Sequence, residues 1–223
     1  MRYLIHTCLQ RHWYVKDYLI PSMTAQGIPE EEIQVWLDTE RKGNLASCIE
    51  SFRDCGKYPG GTWHLCDDVV ICRDFAARTK EHDSGIVCGY AYELDVRRNG
   101  PRTGDVSVPD MWWSFPCIRI PNRLAEECAD WITWDASHRE MYRYYVDSGK
   151  HDDYFWMEFL MAKHRNVRVL NLAPALVDHI DYLIGGSVIN RDRGRPETRT
   201  AFWEDHTVIT ELEEKLKNDK RHG

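Results

Sequence analysis

The sequence predicts an α/β fold: a mixed, Rossmann-like sheet flanked by helices, with a C-terminal helical tail. Apolar runs of strand length alternate with amphipathic helical segments through the first half, a pattern typical of strands joined by crossover helices. The predicted strands also end in polar residues. The chain has 223 residues, of which 43% are hydrophobic and 29% charged, so it can bury a substantial core without stabilising disulfides or metal ions.

The first half contains three predicted strands and two predicted helices. The strands cover 2–8, 33–37 and 63–66, the helices cover 13–26 and 43–55, and a further apolar stretch follows at 69–72. The first helix places Val15, Leu19 and Met23 on one side and stops at Gly27, which suits a helix end.

The second half is more mixed. We predict strands at 86–94, 111–120, 167–172 and 175–180, helices at 121–134, 151–163 and 207–218, and loops at 97–110 and 190–199. The sequence therefore indicates one domain over 1–190, followed by a charged loop and a C-terminal helix over 191–223.

Composition excludes several classes of protein. The net charge of −7 argues against a protein that holds nucleic acid mainly by charge, although arginines cluster locally near residues 97–102 and 191–199. No apolar run is long enough to span a membrane or to serve as a signal peptide. The 8 cysteines form no Cys-x-x-Cys pair, and we expect reduced thiols and a cytoplasmic location.

Polar residues at the strand ends are the first candidates for chemistry, because ligands of open α/β sheets bind at the carboxyl ends of strands. The predicted strands lead to Thr7, Asp38 and the adjacent pair Asp67 and Asp68. Two neighbouring carboxylates suit Mg²⁺ or Mn²⁺, and a solvated turn is the alternative. Strand alternation also allows a Zn²⁺ trio, which would consist of His64, Cys66 and Asp68.

Three further groups carry possible chemistry. Arg11, with His12 and Lys16, could bind phosphate after the first strand. Asp152 and Asp153 could cap a helix or act as a general base. His179 becomes a metal ligand only if it meets Asp68 in space.

These pieces together resemble the GT-A glycosyltransferases, especially small lipopolysaccharide-type and phage-encoded members. The opening strand with Arg11 and the helix end at Gln26-Gly27 are similar to the start of that fold. The run Trp-His-Leu-Cys-Asp-Asp-Val-Val at 63–70 resembles the strand that ends in the family's acidic metal motif. The segments at 115–121, 152–156 and 174–180 resemble the acceptor-side strand, the acidic pair and the late Pro-Ser-Leu-Val-x-His stretch.

The resemblance implies a nucleotide-sugar donor, such as a UDP-sugar, and Mn²⁺ or Mg²⁺ on its diphosphate. Asp68, completed by His179, would bind the metal, and Asp153 or Asp152 would be the base of an inverting transfer. The implied donor-binding residues are Thr7, Arg11, Asp38, Asn44 and Asp67. The family often has an acid where this chain has Cys66, so a metal-independent variant remains an alternative.

The tryptophans divide between packing and binding. Trp36, Trp63 and Trp156 lie in predicted core elements, whereas Trp112, Trp113 and Ser114 follow a polar loop, where we expect them beside the acceptor.

The acceptor could be a glycan, a lipid, a protein or, for a phage enzyme in its host's cytoplasm, a hydroxymethylated DNA base. Two other functions stay open. One is a metal-dependent phosphoester hydrolase or nuclease that uses His64, Asp67, Asp68 and His179. The other is a non-catalytic carbohydrate-binding protein.

Overall fold

A seven-stranded mixed sheet and a two-stranded sheet organise the chain. The computed structural model describes residues 1–90, 104–107, 116–134, 140, 143, 152–185 and 206–219. The strands within these residues are β1 (Arg2–Cys8), β2 (Ile33–Asp38), β3 (Gly61–Cys66), β4 (Val69–Ile71), β5 (Ile86–Cys88), β6 (Gly104–Ser107), β7 (Cys117–Pro121), β8 (Arg168–Asn171) and β9 (Val177–His179).

The helices connect and cover these strands. Helix α1 is continuous but has three parts: His12–Tyr14 and Ile20–Ala25 are α-helical, and Val15–Leu19 between them is π-helical. The others are α2 (Asn44–Gly56), α3 (Phe75–Glu81), α4 (Asn122–Trp134), α5 (Asp152–Lys163) and α6 (His206–Asn218). No helix in the described part of the chain has the length and apolar character needed to cross a membrane.

The order of the large sheet is β2-β1-β3-β7-β5-β8-β6. Strand β1 runs parallel to both β2 and β3, as expected for strands joined by crossover helices. Strand β7 is antiparallel to both β3 and β5, and β6 is antiparallel to β8. The predicted mixed α/β sheet with flanking helices is therefore confirmed.

Each face of the large sheet is covered by a separate apolar cluster. On one face, Tyr3 and Ile5 of β1 share a cluster with Val15 and Leu19 of α1. On the other face, Ile118 of β7 lies in a cluster with residues of α2, α4 and α5, namely Phe52, Ile132 and Phe159. Alternate strand residues thus point to opposite helix layers, and this fixes the strand register.

The two-stranded sheet matters most for the site. Strand β4 begins directly after Asp67 and Asp68 and pairs antiparallel with β9, so that Val69 lies opposite His179. Ile180 donates its N–H to the carbonyl oxygen of Asp68 at 2.8 Å. This pairing carries a distant part of the chain to the end of β3.

Two features differ from the sequence expectation. Helix α3, which buries Phe75, Ala76 and Thr79, was not predicted. Strand β6 lies inside the predicted loop at 97–110, because its backbone pairs with β8, which the hydrophobic pattern does not reveal. The predicted C-terminal helix is present as α6, and its apolar residues Ile209 and Leu212 join the cluster that contains α1. The predicted boundary at 190–191 and the loop at 190–199 lie outside the described residues.

Candidate functional site

Two buried carboxylates lie where β3 meets β4. Asp67 and Asp68 form the turn between these strands, at the carboxyl end of the parallel β2-β1-β3 portion of the sheet. Both residues are less than a tenth exposed, at 7% and 8%. Buried carboxylates are stable only with strong partners, so the surrounding groups define what the site can do.

Arg11 supplies the positive charge between these carboxylates. It follows β1 in a turn closed by its own N–H, which donates to the carbonyl oxygen of Cys8 at 3.1 Å. Its Nη1 atom donates to Oδ1 of Asp67 at 3.0 Å and also to Oδ2 of Asp68. The N–H of Cys8 donates to Oδ2 of Asp67 at 3.1 Å, so the end of β1 and the turn after it together fix the Asp67 carboxylate.

His179 completes the cluster from β9. Its Nε2 atom lies 3.0 Å from Oδ1 of Asp68, and its Nδ1 atom lies 3.8 Å from Oδ1 of Asp181. The Tyr90 ring meets the imidazole edge-on, with the ring centroids 6.4 Å apart. The His179 side chain keeps 23% of its surface exposed, against 11% for that of Asp68. The cluster therefore reaches solvent on the imidazole side.

The charges in the cluster shift one another's protonation. Burial by itself would raise the pKa of Asp68, but His179 and Arg11 hold that pKa below its usual range. Burial and the neighbouring Asp68 charge raise the pKa of Asp67, and Arg11 opposes that rise. Burial would lower the pKa of His179, yet the Asp68 carboxylate raises it overall.

The donor set fits a divalent cation in part. Oδ1 of Asp68 and Nε2 of His179 are in direct contact at 3.0 Å, with the imidazole as the hydrogen-bond donor. With His179 neutral, the same two atoms would have the spacing of about 3.0 Å that separates adjacent ligands of an octahedral ion with bonds of about 2.1 Å. Carboxylate and imidazole are both accepted by Mn²⁺. Among the described residues no group of three or more His, Cys, Asp or Glu side chains is placed to hold a metal. A cation here would take its other ligands from substrate oxygens and water.

Thr7 joins this cluster from the end of β1: it is buried, and its hydroxyl hydrogen-bonds Asp67 and lies 3.3 Å from the carbonyl oxygen of Cys8. The other predicted donor residues, Asp38 and Asn44, lie at the same sheet edge but outside the cluster. Asp38 lies beside Cys8 in the parallel register, and its carboxylate oxygens accept the N–H groups of Lys42 and Gly43, each at 2.9 Å. Asn44 is exposed at the start of α2.

The zinc trio expected from strand alternation is not assembled. His64 is fully buried, and its Nδ1 atom lies 3.1 Å from Nε2 of His6, with the Phe52 ring packed edge-on against it. Asp68 instead turns to Arg11 and His179. The residue after β3 leaves the strand pleat, so the alternation that relates His64 to Cys66 does not extend to Asp68.

Several predicted residues fall outside what the structure describes. The backbone of Asp152 and Asp153 forms the first turn of α5, and their side chains are not described. Trp112, Trp113 and Ser114 lie outside the described residues.

Sequence reasoning missed two neighbours of His179. Asp181 follows it by two residues, a spacing that could have suggested an acidic partner on the same side. Tyr90 carried no signal, because it reaches the site only through the sheet order.

No known family profile matches the chain, and no curated protein matches it significantly. Two solved structures are similar in outline. One is a crystal structure of galactosyltransferase LgtC in complex with donor and acceptor sugar analogues, with a TM-score of 0.46 and 12% identity, covering 97% of this chain and 96% of that chain. The other is a crystal structure of A197 from STIV, with a TM-score of 0.39 and 15% identity, covering 81% of this chain and 86% of that chain.

The chemistry of the cluster itself indicates what this site can bind. Arg11, Asp67, Asp68 and His179 form a buried, charged group at the carboxyl edge of a parallel sheet, open to solvent beside an imidazole. Such a group can bind a cation together with an anionic ligand such as a diphosphate.

Proposed function

We propose that this chain transfers a sugar from a nucleotide-sugar donor, such as a UDP-sugar, to an acceptor hydroxyl. The observation that carries the proposal is the convergence of Asp68 and His179 at 3.0 Å, beside Arg11, at the carboxyl edge of the parallel strands. That edge is where open α/β sheets bind nucleotides. The sequence resemblance to GT-A glycosyltransferases supports the same function.

The proposed cation, Mn²⁺ or Mg²⁺, is held by Asp68 and His179. When bound, it supplies positive charge to the diphosphate that leaves as the sugar is transferred. Asp67, fixed by the Cys8 N–H and by Arg11, keeps the turn that presents Asp68 in place. The planar guanidinium of Arg11 suits a phosphate as well as it suits a carboxylate.

The proposed base is one of the two carboxylates at the start of α5. Asp152 or Asp153 would take the proton of the acceptor hydroxyl as its oxygen attacks the anomeric carbon and the diphosphate departs. Both residues belong to the first turn of α5, where the helix dipole favours negative charge. The proposal places the acceptor near Trp112, Trp113 and Ser114, and the nucleotide near Thr7, Asp38 and Asn44.

Two other functions receive less support. The hydrolase that uses His64 loses one of its four residues, because His64 packs against His6 and Phe52 away from Asp68. A non-catalytic carbohydrate-binding module is usually built from β-sheets alone, whereas this chain is a mixed α/β protein.

The experiment is an assay of the full chain with a panel of UDP-, GDP- and dTDP-sugars, each with Mn²⁺, with Mg²⁺ or with EDTA. We expect release of one nucleoside diphosphate and a hexose mass added to one of the supplied acceptors, a glycan or DNA with 5-hydroxymethyl bases. Phosphodiester cleavage without any sugar donor would favour the hydrolase. Sugar binding without donor turnover would favour the binding module.

A further inference from the structure

Every oxygen of the two site carboxylates already has a donor from the chain itself. Arg11 binds Oδ1 of Asp67 and Oδ2 of Asp68. The remaining oxygens are taken by the Cys8 N–H at Asp67 and by His179 at Asp68. A divalent cation that binds Asp68 must therefore compete with groups that are already in place.

The charge balance makes Arg11 the main competitor. The two carboxylates bring two negative charges, the guanidinium between them brings one positive charge, and His179 adds a second positive charge while its imidazole is protonated. An imidazole can give up its proton and bind a metal ion, whereas a guanidinium in a protein cannot, so Arg11 stays charged when a divalent cation arrives. Three positive charges on two carboxylates in a buried site are unfavourable, because like charges repel strongly where water is excluded.

The position of Arg11 allows this charge repulsion to be relieved. Its backbone is anchored, since its carbonyl oxygen accepts the N–H groups of Tyr14 and Val15 at 2.9 and 3.3 Å. The side chain is the part that can change position, by rotation about its own bonds. It starts at the sheet edge where the donor would bind, and a diphosphate offers the same kind of oxygen pair as a carboxylate.

We propose that Arg11 is an internal cation that occupies Asp67 and Asp68 until the donor binds, and then transfers to the donor's diphosphate as the divalent cation takes Asp68. This inference rests on the proposed function and adds to it a dependence between the two ligands. The divalent cation and the diphosphate bind cooperatively because each relieves the charge conflict that the other would cause. By thermodynamic linkage, each ligand increases the affinity of the protein for the other by the same factor.

The test measures Mn²⁺ binding by the electron paramagnetic resonance signal of unbound Mn²⁺, with and without UDP or GDP, relative to the same nucleotide and Mn²⁺ without protein. The variants are Arg11→Met, which removes the charge, and Arg11→Met combined with Asp67→Asn, which removes one charge of each sign and protects the fold. Arg73→Met is the matched control, because Arg73 pairs with Glu211 on the exposed side of α6.

In the wild type and in Arg73→Met, we expect weak binding of Mn²⁺ alone and a strong gain when the nucleoside diphosphate is added. In both Arg11 variants, Mn²⁺ alone should bind about tenfold more tightly than in the wild type, and the gain from the diphosphate should shrink by about tenfold. If Mn²⁺ alone binds the wild type and the double variant equally, Arg11 is not a competitor and this inference is wrong. If no form of the protein binds either nucleoside diphosphate, the proposed function fails with it.

Discussion

The Nε2 atom of His179 lies 3.0 Å from Oδ1 of Asp68, although the two residues belong to distant parts of the chain. The antiparallel pairing of β4 with β9 brings them together, by setting Val69 opposite His179. A carboxylate that ends one sheet thus meets an imidazole that ends another. This contact turns a polar strand end into a candidate cation site.

The first prediction concerns the charge of Asp68. Asp68→Asn keeps the size of the side chain but removes the carboxylate, so the donor turnover that depends on Mn²⁺ should fall at least about 100-fold. The control is Asp130→Asn, because Asp130 forms an exposed ion pair with Arg53 on the far helix layer. Equal turnover in both variants would remove Asp68 from the metal site.

The second prediction concerns the stability that Arg11 gives to the fold. Arg11→Met leaves two buried carboxylates without their shared cation, and unfolding in urea should show a loss of about 3–5 kcal/mol. Arg73→Met breaks an exposed ion pair and should cost no more than about 1 kcal/mol. A similar small loss in both variants would mean that the Arg11 contacts contribute little.

Half of this site could be predicted from the sequence, and the reason is local. Thr7, Arg11, Asp67 and Asp68 follow strands whose apolar patterns are clear, and parallel strands bring their carboxyl ends to one edge. Of the three tryptophans that the sequence places in core elements, Trp63 and Trp156 are fully buried, whereas Trp36 on the edge strand β2 is only partly buried.

The rest depends on pairing between distant segments. The sequence made contact with Asp68 a condition for metal binding by His179, but it did not predict that contact. Nothing in the local pattern indicates that β9 pairs with β4. The pairing of His64 with His6 was missed for the same reason: each looks like an ordinary strand residue until β1 and β3 lie side by side. Helix α3 was missed because it is only two turns long.

The third prediction is an acid-side loss of stability caused by the pair His6 and His64. Burial lowers the pKa of His6 from 6.5 to about 4, and it lowers the pKa of His64 well below 6.5. The unfolded chain therefore binds more protons than the native chain below pH 6.5, and the free energy of unfolding falls as the pH drops from 6.5 towards 4.

Urea unfolding at a series of pH values measures this effect. His64→Leu removes one of the two groups, so its stability should decline less steeply than that of the wild type, by up to about 1.4 kcal/mol per pH unit. Parallel curves of stability against pH for the two proteins would show that His64 does not contribute to the loss of stability at acidic pH.

The fourth prediction concerns the turn that leads into α2. Both carboxylate oxygens of Asp38 accept backbone N–H groups, from Lys42 and Gly43. Asp38→Ala leaves both donors without this partner, and we expect unfolding in urea to become easier by about 1–2 kcal/mol. Asp130→Ala, which removes an exposed carboxylate from α4, should change the stability by less than about 1 kcal/mol. An equal effect of the two changes would show that the Asp38 turn bonds are weak.

Calorimetric titration of UDP and GDP into the full chain tests the central claim most directly, that Asp68 and His179 form a cation-dependent diphosphate site. The wild type should bind at least one of these nucleotides about tenfold or more tightly with Mn²⁺ than with EDTA, and His179→Gln should lose most of that gain. Binding that is the same with Mn²⁺ and with EDTA, or a gain that persists in His179→Gln, would contradict the account.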